Sequence, residues 1–305
     1  MTEPALRVEQ LSKRYGSFVA VDDLSFEVPR GAVVGLLGPN GAGKTTTMQM
    51  LVGVTELTSG SVHYFGMDFA TNRRKCLQRI NFTSAYNSLQ AKMTVRENLM
   101  VFAALYGVKN AKSRIAELAE YFDIAVLFAQ RFATLSAGQK TRVNLVKALI
   151  NNPELVLMDE PTASLDPDIR DKTLSLIKSM IDSHGLSVLF TSHNMNEVSE
   201  LCEDVIFLDH GKVVMHNTPA NLTAQLRRVH VILTIEGDQD AAAGALSAAG
   251  LKPEHFAGCR LGMLIEGHDI AGLLAQLHGQ HAFRIVDVET ERATLDDVFM
   301  KVARA

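Results

Sequence analysis

The chain has little cysteine, no long apolar run and no excess of positive charge, and each absence excludes a class of protein. Its three cysteines, Cys76, Cys202 and Cys259, are scattered and form no CxxC pair. This excludes a disulfide framework and predicts reduced, buried thiols. No apolar run approaches the roughly 18–20 residues that a membrane-spanning helix needs. The N-terminus also lacks the basic segment and apolar segment of a signal peptide.

The charge balance is slightly acidic, and the composition is that of a globular protein. Among 305 residues, 30 lysines and arginines oppose 34 aspartates and glutamates, which gives a net charge of −4, and 47% of the residues are hydrophobic. A chain without a basic surface is not expected to bind nucleic acid as its main task. Because it has no membrane helix of its own, we expect any membrane role to come through a partner.

Alternating apolar runs and helical patterns predict two domains. Residues 1–218 form an α/β domain, in which short apolar runs predict strands buried on both faces of a mixed sheet. A mostly helical stretch over residues 73–149 predicts a helical subdomain at about residues 77–150. Residues 219–305 form a small α+β domain of order β-α-β-α-β-α, whose last helix has Thr294 as its N-cap. The predicted strands include residues 32–37, 155–158 and 187–191, and then 229–236, 260–266 and 283–289.

The strongest signal for function is a glycine-rich segment between a predicted buried strand and a predicted helix. Residues 38–45 read GPNGAGKT and fit the pattern GxxxxGK[ST]. Such glycines let backbone N–H groups surround an anion at the positive end of the next helix. The pattern predicts a nucleoside triphosphate site, in which the lysine reaches the terminal phosphates and the next hydroxyl ligates Mg²⁺. The residues assigned to it are Gly38, Pro39, Asn40, Gly41, Ala42, Gly43, Lys44, Thr45 and Thr46.

Two acidic residues, Asp159 and Glu160, follow the predicted strand at residues 155–158. Ligands of open α/β sheets bind at this end of the strands. An acidic pair after a strand is, on its own, more often the start of a loop, but beside a phosphate loop it favours catalysis. We expect Asp159 to bind the metal ion together with Thr45, and Glu160 to activate the attacking water as general base.

A third segment, LSAGQ at residues 135–139, opens a predicted helix. Ser136 and Gln139 have the spacing of a capping box, and plain helix capping is the alternative interpretation. Ser136 lies 23 residues before Asp159. That placement favours a functional role for the segment.

Together these segments resemble the ATP-binding cassette (ABC) family, and the resemblance covers roughly residues 5–218. It implies the two-lobed fold of an ABC-type P-loop NTPase, with ATP and Mg²⁺ bound. It also implies a head-to-tail dimer that sandwiches two ATP molecules, in which the signature of one subunit faces the phosphate loop of the other. Ala137, where glycine is commoner in the family, should be tolerated in this signature.

The resemblance assigns further residues by their position. The D-loop corresponds to Ser164, Leu165 and Asp166, the γ-phosphate contact to His193, and the aromatic that stacks on adenine to Tyr15. Ser136 and the amide of Gly138 would approach the γ-phosphate held by the other subunit, and Gln139 belongs to the same nucleotide-binding set. The implied catalytic set is Lys44, Glu160 and His193.

The chain departs from the family at one position. The family usually has a glutamine about nine residues before a Thr-Val-x-Glu-Asn-Leu segment, which here is residues 94–99, and the residue nine positions back is Ala85. Alanine can neither ligate Mg²⁺ nor bind the attacking water, so we expect altered coupling between the nucleotide and the docked partner. A shifted loop that brings in Gln90 is the alternative.

The small C-terminal domain resembles that of the ABC-2-type exporter branch, which includes antibiotic-resistance, nodulation-factor and polysaccharide exporters. This implies a subunit at the cytoplasmic face of the cell membrane, bound to separate transmembrane permease subunits and paired as a homodimer or heterodimer. A hydrolysis-impaired cassette that acts as an ATP-dependent dimerisation switch or regulator, and an importer ATPase, are the alternatives. The 92 residues between Lys44 and Ser136 leave no room for the coiled coil of a DNA-maintenance ATPase. A ribosome-associated factor would normally carry two cassettes.

The missing glutamine gives a gain-of-function test. We expect Ala85→Gln to raise ATP turnover, or to couple it better to the partner, because the amide would supply a ligand for Mg²⁺ and a partner for the attacking water. Phosphate release by the purified protein measures this. Unchanged turnover would mean that Gln90 or another group already fills the role.

Overall fold

A computed structural model describes residues 3–84, 89–163, 165–225, 228–266, 270–277, 282–292 and 294–302. Ala85 and Ser164 lie outside the described residues. The chain divides into two compact units, Met1–Pro219 and Ala220–Ala305. Each unit has its own arrangement of strands and helices.

The first unit begins with the strands and the helix that lie on either side of the glycine-rich segment. In chain order its elements are β1 (Leu6–Tyr15), β2 (Phe18–Val28), β3 (Val33–Leu37), α1 (Lys44–Leu51), β4 (Ser59–Tyr64), β5 (Met67–Asp68), α2 (Phe69–Arg79) and β6 (Ile80–Ser84). It continues with α3 (Val95–Leu105), α4 (Ala111–Tyr121), 3₁₀ turns at Ala125–Leu127 and Phe132–Thr134, and α5 (Ala137–Leu149). The remaining elements are β7 (Leu155–Asp159), α6 (Pro167–His184), β8 (Ser187–Thr191), α7 (Met195–Leu201), β9 (Asp204–Asp209) and β10 (Lys212–Asn217).

Two sheets form the body of this unit. One is antiparallel, with the order β2-β1-β4-β5. The other has the order β10-β9-β3-β8-β7-β6, in which only the edge strand β10 is antiparallel to its neighbour. This mixed sheet, flanked by helices, confirms the predicted α/β class.

The central strands β3, β7 and β8 are buried at every position. Burial on both faces is typical of parallel strands covered by other layers, as their continuous apolar runs predict. One hydrophobic core joins both sheets and α1. Its members include Leu11 and Leu24 from the antiparallel sheet, Leu36 and Leu157 from the mixed sheet, and Met48 from α1.

Strand β6 interrupts the stretch that the sequence predicts to be mostly helical. It pairs in parallel with β7, from Ile80 opposite Leu155 to Ser84 opposite Asp159. The segment INFTS is short and carries three polar residues, so its apolar pattern is weak, yet Asn81 and Thr83 are both buried. Tertiary pairing with β7 therefore decides the conformation, and the helical lobe of the structure begins after β6.

Polar side chains fasten this helical lobe to β6. The ammonium group of Lys147, on α5, donates to the backbone oxygen of Phe82 at 2.8 Å and to Oδ1 of Asn81 at 3.1 Å. The hydroxyl of Tyr106, which follows α3, also donates to Oδ1 of Asn81, at 3.2 Å. Burial lowers the pKa of Lys147 from 10.5 to about 8.

The second unit contains a four-stranded antiparallel sheet. Its elements are α8 (Pro219–Gln225), which begins at the boundary, β11 (Arg228–Gly237), α9 (Gln239–Ala248), β12 (Glu254–Phe256), β13 (Arg260–Glu266), α10 (Ile270–Leu277), β14 (Phe283–Arg292) and α11 (Leu295–Val302). The short strand β12 was not predicted. It completes a β-α-β-β-α-β unit with the sheet order β12-β13-β11-β14, which is a ferredoxin-like arrangement.

The three cysteines are free thiols. Cys76 and Cys202 are buried as predicted, but the prediction was wrong for Cys259, which is exposed. Cys259 lies in the tight turn between β12 and β13, where its positive φ of 57° belongs to the turn rather than to the core. In the described part of the chain, no helix is long and apolar enough to cross a membrane.

The buried lysine gives the fold a pH dependence that a variant can reveal. The pKa of Lys147 falls on folding, so between pH 8 and 10.5 the unfolded chain binds more protons than the folded chain and stability rises with pH. Between pH 7 and pH 9.5 the parent should therefore gain about 2 kcal/mol of unfolding free energy relative to Lys147→Met. Urea denaturation of both proteins at the two pH values measures this gain.

The matched control is Lys140→Met, because Lys140 lies on the same helix but in its partly exposed first turn. The difference in unfolding free energy between Lys140→Met and the parent should be the same at both pH values. An equal pH response of the parent and Lys147→Met would show that Lys147 is not buried as a charged group.

Candidate functional site

The glycine-rich segment forms an open loop between β3 and α1. Gly38 and Gly43 adopt φ values of 148° and 101°. A Cβ at Gly38 would collide with the carbonyl oxygen of Leu208, and one at Gly43 would lie 2.6 Å from the carbonyl oxygen of Ala20. Glycine is therefore required at both positions by conformation and by space. No side chain caps α1, so its first N–H groups are available to an anion.

The side chain of Lys44 folds back over this loop. Its Nζ donates to the carbonyl oxygens of Gly38 at 2.6 Å and Pro39 at 3.1 Å. Burial lowers the pKa of Lys44, while the negative charges of Glu160 and Asp159 oppose that shift. The lysine therefore lies within electrostatic reach of both acidic residues. Thr45 is exposed at the first turn of α1, and Thr46 is partly exposed.

The hydroxyl of Thr191, at the end of β8, binds both acidic residues at the end of β7. It donates to Oδ1 of Asp159 at 2.7 Å and accepts a hydrogen bond from the backbone N–H of Glu160 at 2.9 Å. Burial raises the pKa of Asp159, and the charge of Glu160 raises it further, whereas the bond from Thr191 and the charge of Lys44 lower it. Sequence reasoning did not single out Thr191, although its position opposite Asp159 follows from the parallel register.

Glu160 and His193 form a close pair. Oε2 of Glu160 lies 2.6 Å from Nδ1 of His193, a hydrogen bond when that nitrogen carries the proton. The side chain of Glu160 is 17% exposed and that of His193 is 72% exposed. Glu160 also has a left-handed φ of 52°, which is uncommon for a residue other than glycine. The structure thus brings two of the three predicted catalytic residues, Glu160 and His193, together at the carboxyl ends of β7 and β8.

The signature residues occupy the start of α5. Ser136 and Gln139 form the capping box that their spacing predicts, since the N–H of Ser136 donates to Oε1 of Gln139 at 2.9 Å and the N–H of Gln139 donates to Oγ of Ser136 at 3.3 Å. Ser136 is exposed. Across the part of the chain that is described, no hydrogen bond joins these residues to the phosphate loop. Within one chain, capping is therefore their visible role.

The start of α5 packs against α6. A Cβ at Gly138 would lie 2.5 Å from Cγ2 of Ile169, so this position of the signature has no room for a side chain. Asp166 is the N-cap residue of α6 and is exposed, and its side chain makes no capping hydrogen bond. Leu165, the other described D-loop residue, donates its N–H to the carbonyl oxygen of Thr162 at 3.1 Å.

Tyr15 lies at the end of β1, beside a tight turn. It is 49% exposed, and Nζ of Lys13 lies 5.0 Å from the centre of its ring. Phe18, its cross-strand partner on β2, is 62% exposed and is a second aromatic side chain that the sequence reading missed. The start of β2 approaches the phosphate loop, because Ala20 contacts the position of Gly43.

Gln90, the alternative to the missing glutamine, is exposed and is held by its backbone to α3. Its N–H donates to Oδ1 of Asn98 at 2.9 Å, and its carbonyl oxygen accepts from Nδ2 of Asn98 at 3.1 Å. Within the described ranges, no hydrogen bond joins Gln90 to Asp159 or Glu160.

Glu197 is a further polar residue that sequence reasoning missed. It lies in the first turn of α7 and is 3% exposed. Its Oε2 accepts hydrogen bonds from the hydroxyls of Thr162 at 2.7 Å and Ser192 at 2.8 Å. The available signal was a carboxylate on the face of α7 that also carries Met195, Val198 and Leu201, all of them buried.

A family profile and individual relatives, both found by sequence comparison, indicate the same kind of protein. A sequence profile described as "ABC transporter" matches residues 21–163. The linearmycin resistance ATP-binding protein LnrL of Bacillus subtilis is 31% identical, over 97% of this chain and 97% of that protein. The Nod factor export ATP-binding protein I of Cupriavidus pinatubonensis is 33% identical, over 97% of this chain and 90% of that protein.

Solved structures show the same similarity over about three quarters of the chain. A structure described as the ATP binding subunit of an ABC transporter has a TM-score of 0.65 and 27% identity, and the match covers 73% of this chain and 93% of that one. The cbiO1 protein from Clostridium perfringens, part of the ABC transporter complex cbiONQ, has a TM-score of 0.65 and 25% identity, over 73% of this chain and 92% of that one.

The Thr191 hydroxyl can be tested by an isosteric change. Thr191 is fully buried, so Thr191→Val should lower the unfolding free energy by about 1–3 kcal/mol, since it removes a donor from a buried carboxylate. Urea denaturation at pH 7 measures the loss. Thr191→Ser keeps the hydroxyl and is the control. Equal losses in the two variants would show that the methyl group, not the hydrogen bond, matters.

Proposed function

The chain belongs to the ATP-binding family of ABC transporters, and from this premise we propose that it is the ATP-hydrolysing subunit of an ABC-2-type exporter. As a member of the family it is an ATP-binding subunit and an ATPase. In the proposed cycle, two cassettes close on ATP and reopen after hydrolysis, and this movement drives separate membrane subunits.

One observation carries the proposal. The Glu160–His193 pair lies at the carboxyl ends of β7 and β8, and the phosphate loop follows β3, the next strand of the same sheet. Parallel strands end at one edge, so an anion on the loop would lie beside a carboxylate and an imidazole. This arrangement supports the hydrolysis of a bound triphosphate.

The loop and its lysine would bind the phosphates of ATP. The N–H groups of residues 41–45 and the start of α1 would face the phosphate oxygens. Lys44 would exchange the carbonyl oxygens of Gly38 and Pro39 for phosphate oxygens. Tyr15, with Phe18 beside it, offers an exposed aromatic surface for the adenine ring.

Mg²⁺ fits the oxygen donors at this edge. In the described residues, no group of three or more His, Cys, Asp or Glu side chains can bind a metal ion on its own. The hydroxyl of Thr45 and the carboxylate of Asp159 are the hard oxygen ligands that Mg²⁺ prefers, and the phosphates of ATP would complete the set. The bound ion would neutralise charge on the transferring phosphoryl group.

Glu160 and His193 would act on the attacking water and the γ-phosphate. A carboxylate at this position takes a proton from the water as general base. In the described structure His193 binds that carboxylate, and the imidazole would turn to the γ-phosphate once ATP is bound. Lys44 would stabilise the charge that develops on the phosphate.

The exposed signature supports a dimer in which each subunit completes the site of the other. Ser136, Gly138 and Gln139 lie at the N-terminal end of α5, where the N–H groups outside the capping box and the exposed hydroxyl of Ser136 can meet an anion. Asp166 lies at the neighbouring start of α6. Closure is favoured by ATP only if these contacts form in the closed dimer alone.

Separate permease subunits would dock on the helical lobe, at the cytoplasmic face of the membrane. The outer face of α3 exposes Val101 and Leu105, at 46% and 74%, and Val126, in the 3₁₀ turn at Ala125–Leu127, is 78% exposed. Exposed aliphatic side chains of this kind suit an apolar helix of a partner. The names of the two relatives, for resistance and for export, support the exporter branch over an importer.

The base assignment gives the main test of function. Glu160→Gln removes the charge that activates water but keeps the shape, so it should leave ATP binding intact and lower turnover by about 10²–10⁴-fold. It should also trap a dimer with ATP, visible by size-exclusion chromatography. Phosphate release by parent and variant measures the loss.

Lys44→Ala is the control for binding, because it should lose ATP affinity and form no ATP-dependent dimer. A Glu160→Gln protein that turns over at the parental rate would contradict the general-base role. A parent that dimerises with ATP but releases no phosphate would instead support the dimerisation switch.

A further inference from the structure

The buried carboxylate of Glu197 joins three segments that carry proposed site residues. Its Oε2 accepts the hydroxyl protons of Thr162 and Ser192, and its Oε1 lies 3.7 Å from Nε of Arg170. Thr162 follows Glu160 by two positions, Ser192 immediately precedes His193, and Arg170 lies in the first turns of α6 after Asp166. One side chain therefore touches the loops after β7 and β8 and the start of α6.

A buried carboxylate is costly unless it is paired and hydrogen-bonded. Thr162 and Ser192 are themselves 4% and 2% exposed, so water does not substitute for these bonds. Ser192 is in addition fixed by the N–H of Asn194, which donates to its Oγ at 3.0 Å. The position of Glu197 in the first turn of α7 also favours its negative charge. The loop after β7, the loop after β8 and the start of α6 therefore all contact the same buried carboxylate.

The sheet alone does not fix the Glu160–His193 pair. The β7–β8 ladder ends at Asp159 opposite Thr191. One residue further, the N–H of Glu160 still donates to the carbonyl oxygen and the hydroxyl of Thr191, at 3.1 and 2.9 Å, and Glu160 adopts a left-handed φ of 52°. Beyond that point, two connections between the loop after β7 and the loop after β8 are found among the described residues. One is the Glu160–His193 pair itself, and the other is formed by the hydrogen bonds of Glu197. A shift of either loop would change the 2.6 Å separation of Glu160 and His193.

We propose that Glu197 is a positioning residue that holds the two loops carrying Glu160 and His193 in place relative to each other and connects them to α6. This inference rests on the ATPase function proposed above. Because α6 packs through Ile169 on Gly138 of the signature, the same carboxylate connects the catalytic pair of a subunit to the signature of that subunit. Glu197 touches no substrate, and it acts through the loops that it holds.

The test separates positioning from simple stability by steady-state kinetics. Glu197→Ala should lower kcat by about 10- to 100-fold, because small displacements of reacting groups are costly. It should leave KM for ATP within about twofold of the parent, since the phosphate loop is untouched. Glu197→Gln retains an oxygen that can accept both hydroxyl protons, so it should restore kcat to within about threefold of the parent. Glu200→Ala, an exposed glutamate on the same helix, is the control and should behave as the parent.

Two further variants keep the test decisive if Glu197→Ala does not fold. Thr162→Val and Ser192→Ala each remove one hydroxyl from the carboxylate, and each should lower kcat without raising KM. A kcat at the parental value in both would overturn the inference.

A double variant tests whether Glu197 acts through Glu160. In the Glu160→Gln background, adding Glu197→Ala should lower the residual rate by a smaller factor than it lowers kcat of the parent, since one of the two groups being positioned is already lost. If the double variant loses rate by the full product of the two single-variant factors, the inference is overturned, while the proposed ATPase function still stands. If the parent chain releases no phosphate from ATP, the proposed function fails first.

Discussion

Strands β3, β8 and β7 lie side by side in parallel, and their backbone hydrogen bonds set the positions of the phosphate loop and of the acidic strand end at the proposed site. Their side chains are buried on both faces, so a shift in register would disrupt the packing of both layers that cover the sheet. The pairing of Asp159 with Thr191 is a consequence of this register. The glycine loop, the acidic strand end and the histidine are brought together because three strands end at one edge, although they are distant in the sequence.

Burial shifts the pKa of both a positively charged and a negatively charged group at this edge of the sheet. It lowers the pKa of Lys44 and raises the pKa of Asp159, so each group is pushed towards its neutral form. Their mutual attraction opposes both shifts, and the Thr191 hydroxyl further stabilises the carboxylate. The charges at the site therefore depend on each other, which is typical of sites that bind highly charged ligands.

Much of the fold and the site could be read from the sequence, since short motifs fix local backbone chemistry. The GxxxxGKT pattern, the capping box at Ser136 and the buried strands all describe interactions within a few residues, and each of these structures is present. The ABC resemblance stated from those motifs is confirmed by relatives that cover 97% of this chain.

What the sequence did not reveal depends on contacts between distant segments. Strand β6 is polar and short, and its pairing with β7 makes it a strand. Glu197 looks like an ordinary helix residue until Thr162 and Ser192 are brought to it by two different loops. Thr191 and Phe18 likewise gain their importance from a neighbouring strand. The roles of the site residues remain predictions, which the variants described above address.

The side chain of Lys44 is already ordered on the carbonyl oxygens of its own loop. Immobilising a free lysine costs about 1.5–2 kcal/mol of rotamer entropy. Here the side chain is already immobilised in the folded protein before any ligand binds. An incoming triphosphate then has only to exchange one set of acceptor oxygens for another. Preorganisation of this kind leaves more of the interaction free energy for affinity.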